Sequence, residues 1–128
     1  MEDERIVIIL PLPNKALSPN WTVGSIGGRM MKAAAVKKYR HLVRDRIEQE
    51  TIESLPWGKV LVSAAFFYAT KRRRDPDNAM GSLKAAYDGI VDAGVVVDDD
   101  FEHMSRAEPS ICFDASCPMV ILTIERLE

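Results

Sequence analysis

The chain has 128 residues, 47% of them apolar and 28% charged, with a formal charge of −2. That size and mixture specify one soluble domain over residues 1–128, able to bury a core without disulfides or a structural metal. No apolar run approaches the roughly 18–20 residues that cross a membrane. The acidic start Met1-Glu2-Asp3-Glu4-Arg5 lacks the basic region of a secretory signal. Cys112 and Cys117 form no metal-ligand pattern, so reduced thiols and a cytoplasmic location are expected.

Arg5 to Leu10 is a β-branched run that reads as a buried strand. Pro11, Pro13 and Pro19, with Asn14, Ser18 and Asn20, enforce a loop, and Trp21 to Gly28 continues it with Gly24, Gly27 and Gly28. The length and glycine content predict a mobile loop. No strand leads directly into these glycines and no Gly-Lys-Ser/Thr follows, which excludes a phosphate-binding fingerprint. Met30 to about Ile52 reads as a helix, with Ala35, Tyr39, Leu42, Val43 and Ile47 near helical spacing. Lys37, Lys38, Arg40 and Arg44 occupy its other faces, either as a solvated flank or as a surface for a phosphate backbone.

After the turn Leu55-Pro56-Trp57-Gly58, the apolar and aromatic segment Lys59 to Thr70 reads as a central strand. It runs into Lys71, Arg72, Arg73 and Arg74, then Asp75-Pro76-Asp77-Asn78. Ala79 to about Ala93 reads as a second helix, ended by Gly94 as a left-handed cap. Val95 to Val97 is a short extended piece before Asp98-Asp99-Asp100. Two strands, Ala107 to Phe113 and Met119 to Arg126, flank a turn at Asp114 to Pro118. This order predicts an α+β domain, with a sheet of about four strands packed on two main helices.

The near-neutral total conceals opposed regions. Asp75 to Glu102 carries eight acids against one base, Lys84, for a net of −7. Lys71 to Arg74 carries +4, and Arg29 to Arg46 carries seven bases against one acid. Clustered carboxylates repel unless a cation holds them, and a hard divalent ion is the usual partner. Neighbouring arginines point to a phosphate-bearing ligand. Asp75 or Asp77 also suits a helix cap, with Pro76 at the first helical position. A helix of ~15 residues would carry the chain ~22 Å away, so the aspartates at its two ends meet only if the chain returns through Val95–Val97. Lys84 and Asp88 lie one helical turn apart, which either makes them a surface pair or, with Lys84 turned to the site, leaves its ammonium to contact phosphate or balance carboxylate charge. His103 is either structural or a proton carrier, and His41 reads as surface.

Arg72-Arg73-Arg74-Asp75-Pro76-Asp77-Asn78, the Lys-Ala-Ala-x-Asp segment Lys84 to Asp88, and Ala93-Gly94 followed by Asp98-Asp99 resemble the RusA family of Holliday-junction resolvases. Pro11-x-Pro13, Ser18-Pro19-Asn20 and Tyr39 are similar too, so the resemblance runs through most of the chain. It implies a small homodimeric α+β endonuclease that uses magnesium or manganese to nick paired strands of four-way DNA in recombination and repair. By motif, Asp75, Asp77 and Asp99 would be the catalytic, metal-binding carboxylates, with Asp98 and Asp100 as neighbours of the third, and Lys84 the motif lysine. Arg72, Arg73 and Arg74, with Lys37, Lys38, Arg40 and Arg44, would face the DNA. Asn78 and Lys84 stand six positions apart, farther than in the family, through an insertion near Ala79 to Ser82. The alternative expectation is a non-catalytic dimer that binds branched DNA and has lost its active site.

Overall fold

The computed structural model describes residues 4–21 and 24–128. Residues 1–3 of the acidic start, and 22–23 of the glycine-rich loop, lie outside the described residues.

The α+β architecture has two layers. Its strands are β1 (Arg5–Leu10), β2 (Val60–Tyr68), β3 (Met104–Arg106), β4 (Ser110–Phe113) and β5 (Met119–Arg126). The order across the sheet is β1-β5-β2-β3, with β4 also on β2. β5 is antiparallel to both neighbours, whereas β3 and β4 run parallel to β2. Alternation explains how the core forms. Ile6, Ile8 and Leu10 of β1, Val60, Val62 and Phe66 of β2, and Val120, Leu122 and Ile124 of β5 are all buried on one face. That face is covered by α1 (Ile26–Glu48), through Tyr39, Val43 and Ile47, and by α3 (Lys84–Asp92), through Ala86 and Ile90.

The two helices approach closely because position 89 is glycine. A Cβ there would lie 2.5 Å from the Arg40 carbonyl oxygen and 2.9 Å from Val43 Cβ. Arg40 and Asp92 close the same interface with a bidentate pair at 2.5 and 2.8 Å.

Several expected elements are redrawn. The first helix is shifted toward the N-terminus. Ser25 caps it by accepting a hydrogen bond from Gly28 N–H at 3.0 Å, so Gly27 and Gly28 form its first turn and not a mobile loop. Its last buried residue is Ile47, and the chain leaves the helix through Thr51 at φ +47°.

The loop before it is also ordered by contacts. A 3-10 turn, Lys15–Leu17, is capped by Asn14, and Tyr39 Oη donates to Pro11 O at 2.8 Å. The second helix is two helices, α2 (Pro76–Gly81) and α3, broken at residues 82–83 where Leu83 turns into the core.

Residues 95–97 are bends and not a strand. Val95 and Val96 are buried, and Val95 O accepts from Trp57 N–H at 2.7 Å. Trp57 is itself a core residue, beyond its role in a turn. The single strand expected over Ala107 to Phe113 is replaced by β3 and β4. Two residues of β2 (63–64) face three (107–109) across a bulge that contains Pro109, which has no N–H for a ladder. Gly94 does adopt the left-handed conformation, at φ +81°.

Candidate functional site

The central strand β2 delivers the chain to the basic run and then to α2. Asp75 is the N-cap: its extended backbone and its Oδ1, which accepts from Asp77 N–H at 3.0 Å, start the helix, with Pro76 at the first position. Asp77 follows in the first turn, where a negative charge is favoured by the helix dipole. The capping role that was open to either aspartate belongs to Asp75.

The N-terminal loop packs on this helix. Ser18 Oγ donates to Asn78 Oδ1 at 2.8 Å, and a Cβ on Gly81 would meet Pro19 Cγ at 2.4 Å. Over residues 79–84 one helix ends and another starts. The buried Ser82 Oγ donates to Ala79 O at 2.6 Å at the junction.

The other carboxylates arrive from the far end of α3. Gly94 reverses the chain, buried Val95 and Val96 pin it, and residues 98–100 return toward the start of the helix. The three adjacent aspartates then divide their work. Asp98 Oδ1 accepts from Asp99 N–H at 2.7 Å. Asp100 Oδ1 accepts from the backbone N–H groups of Glu102 and His103, both at 3.1 Å, and pairs with His103 Nδ1 at 2.6 Å.

Asp99 is the one that faces inward. Its Oδ2 lies 2.6 Å from Lys84 Nζ and 3.5 Å from Arg106. The Lys84 ammonium, with help from Arg106, holds the Asp99 carboxyl below the usual carboxylate range. The same contact holds Lys84 above the usual lysine range. Lys84 also reaches Asp88 Oδ1 at 3.2 Å, so the surface pair one helical turn apart forms.

Arg106 gave no signal in the sequence. It stands on β3, paired with Val62 of β2, and donates to Asp99 O at 2.7 Å. Its guanidinium lies 4.5 Å from the centroid of the buried Tyr87 ring. It ties sheet, α3 and carboxylate loop together, but it sits outside every motif and meets Asp99 only across a turn.

The predicted basic residues separate into two groups. Arg72 and Arg73 are exposed, and Arg74 stacks over Tyr68 at 3.8 Å. Arg72, Arg74 and Lys15 line a cleft of about 450 Å³, with Tyr68, Asn78 and no acidic side chain among its lining residues. On α1, Lys37 and Lys38 are exposed. Arg40 is occupied by Asp92, and Arg44 pairs with Asp45 at 2.9 Å.

The donor chemistry of Asp75, Asp77 and Asp99 suits a hard divalent cation. As arranged, Asp99 is engaged by two cations and Asp75 caps a helix. Among the described residues, no group of three or more His, Cys, Asp or Glu side chains is placed to hold a metal ion. No protein-family model matches the chain, and no curated protein matches it. Among the described residues, no helix is long and apolar enough to cross a membrane.

Proposed function

We propose that this protein is a structure-selective DNA endonuclease that resolves Holliday junctions or related branched DNA. It acts as a cytoplasmic homodimer with Mg2+ or Mn2+. The observation that carries the reading is the convergence of Lys84 and Asp99 from opposite ends of α3 at 2.6 Å. Alongside it, the arginine run leads directly into Asp75 and Asp77 at the head of α2.

In this reading Arg72, Arg73 and Arg74 hold phosphates, with Lys37 and Lys38 extending the contact along a DNA arm. Asp75, Asp77 and Asp99 supply oxygen donors to the metal. When bound, such an ion lowers the pKa of a water nucleophile and stabilises the leaving alkoxide. Lys84 balances charge on Asp99 and offers an ammonium to the phosphate. A two-fold enzyme matches a substrate cut in two symmetrically placed strands.

A second reading, a branched-DNA-binding dimer without catalysis, is favoured by the pairing of Asp99 with Lys84 and Arg106 and by the use of Asp75 as a helix cap. Incubation with a synthetic four-way junction and Mg2+ separates the two. Paired nicks that vanish with EDTA and in Asp77→Asn support the endonuclease. Tight junction binding with no cleavage under Mg2+ or Mn2+ supports the second reading, and absence of junction binding refutes both.

A further inference from the structure

Arginines are anchored in this molecule in two ways. Arg40, Arg44 and Arg126 are held by the carboxylates of Asp92, Asp45 and Glu4, and Arg106, which lies over the Tyr87 ring, also meets Asp99. Arg74 has the ring without the acid. Its guanidinium sits 3.8 Å from the centroid of Tyr68, and among the described residues no carboxylate pairs with it. Its Nε is buried with no hydrogen-bond partner among the described residues, and its Nη2 makes only a long contact with Thr70 O at 3.5 Å. A guanidinium partly withdrawn from water in this way is completed by an anion.

The cleft that Arg74 lines supplies the rest of an anion site. Arg72 and Lys15 line it as well, and no acidic side chain does. Two amides, Asn14 and Asn78, also face it, and in each the oxygen is already used. Asn14 Oδ1 accepts from Ala16 N–H at 2.9 Å, and Asn78 Oδ1 accepts from Ser18 Oγ at 2.8 Å. What these amides have left to give is N–H donors. The same cleft has an apolar side, formed by Leu12, Pro13 and Phe66. Its volume of about 450 Å³ falls within the roughly 300–1,000 Å³ of small-molecule sites. A phosphate alone would satisfy the donors and leave the apolar side uncovered.

We infer that this cleft takes one unpaired nucleotide of a DNA strand, with its phosphate on Arg74 and Arg72 and its base against Leu12 and Pro13. The inference rests on the DNA reading proposed above and deepens it. An arginine fork matches phosphate geometry, and a base is held by apolar surface whatever its hydrogen-bonding edge. A base still stacked in a duplex cannot enter a cleft, and drawing it out costs least where pairing is already interrupted. The cleft therefore gives the protein a reason to prefer a branch over a linear arm.

The test is binding of thymidine 5′-monophosphate to the full chain, read by saturation-transfer difference NMR and titrated to a Kd. Saturation is expected to be strongest on the thymine protons. Thymidine, which lacks the phosphate, should bind about tenfold more weakly, and Arg74→Gln should cause a similar loss. Asn14→Asp is the second variant. An aspartate keeps the cap that Asn14 gives the 3-10 turn, so the fold is retained while a negative charge enters the cleft. It should also weaken the nucleotide about tenfold, and circular dichroism should match the native protein.

The inference is overturned if both variants bind the nucleotide as the native protein does. It is also overturned if inorganic phosphate binds as tightly as the nucleotide and the thymine protons receive no saturation, since the cleft is then an anion site only. Binding of a four-way junction with no binding of the nucleotide rejects this inference and leaves the endonuclease reading intact. Binding of the nucleotide with no binding of any junction rejects that reading, and with it the assignment of the cleft to a DNA strand.

Discussion

Gly89→Ala tests the packing on which the whole arrangement rests. In a helix interior the exchange gains about 1 kcal/mol from helix propensity alone. Against this, the new methyl carbon would stand 2.5 Å from Arg40 O and 2.9 and 3.2 Å from Val43 Cβ and Cγ1. The first contact is with backbone, so no flexible side-chain tip can yield, and overpacking of this kind costs about 3 kcal/mol. The net destabilisation is therefore about 2 kcal/mol. For 128 residues it lowers the melting temperature by about 7 °C, taking an unfolding entropy of about 2.1 cal/mol/K per residue. Thermal unfolding followed by circular dichroism reads the shift directly. Gly27→Ala is the control: among the described residues nothing lies within 4 Å of its added Cβ, so only the propensity gain should remain. A melting temperature that rises in both variants would refute the close α1–α3 contact.

Other perturbations probe separate parts of the fold. Trp57→Ala removes a side chain that is 2% exposed and should cost about 3–5 kcal/mol, read from urea denaturation. Tyr39→Phe deletes the donor to Pro11 O and should lower stability by about 0.5–1.5 kcal/mol, with an unchanged urea m-value. The Lys84–Asp99 pair gives a signed pH dependence. Asp99 titrates below its ordinary value, so its contribution is full above about pH 4 and is lost as pH falls through the lowered folded value. Lys84 titrates above its ordinary value, so its contribution is full below about pH 10 and is lost as pH rises through the raised one. The stability difference between the native protein and Asp99→Asn should stay level from about pH 5 to 9 and shrink outside that window. A difference independent of pH would count against the ion pair.

The legible parts of the fold were those in which one residue pattern meets one physical demand. In β5, Val120, Leu122 and Ile124 alternate with less buried residues, and all three are fully buried on the core face. Gly94 marked the end of α3 because a left-handed residue is needed there. Other boundaries depended on distant partners. The break at residues 82–83 carries no proline; it follows from burying Leu83 and from the fit of Pro19 against Gly81, sixty-two positions away. The split into β3 and β4 reflects a one-residue mismatch with β2, which shows only when the strands are paired.

The candidate site was read with similar unevenness. The resemblance pointed to Asp99; in the structure Asp99 pairs with Lys84, whereas Asp98 and Asp100 each engage Oδ1 in a local turn. Arg40 was expected to face DNA because it lies on a basic helix. Charge patterning along one helix could not show that Asp92 of another would occupy its guanidinium.

The two outer borders of the sheet bear on how copies of this chain can meet. On one border, Pro109 and the bulge around it interrupt the regular run of donors that an added strand would need. On the other, Arg46 of α1 reaches across and donates to the Ile9 carbonyl at 2.6 Å, occupying an acceptor on β1. Each border is thus blunted by a different device, of the kind that keeps exposed strands from recruiting one another into continuous sheets. Strand addition is disfavoured where these two devices act.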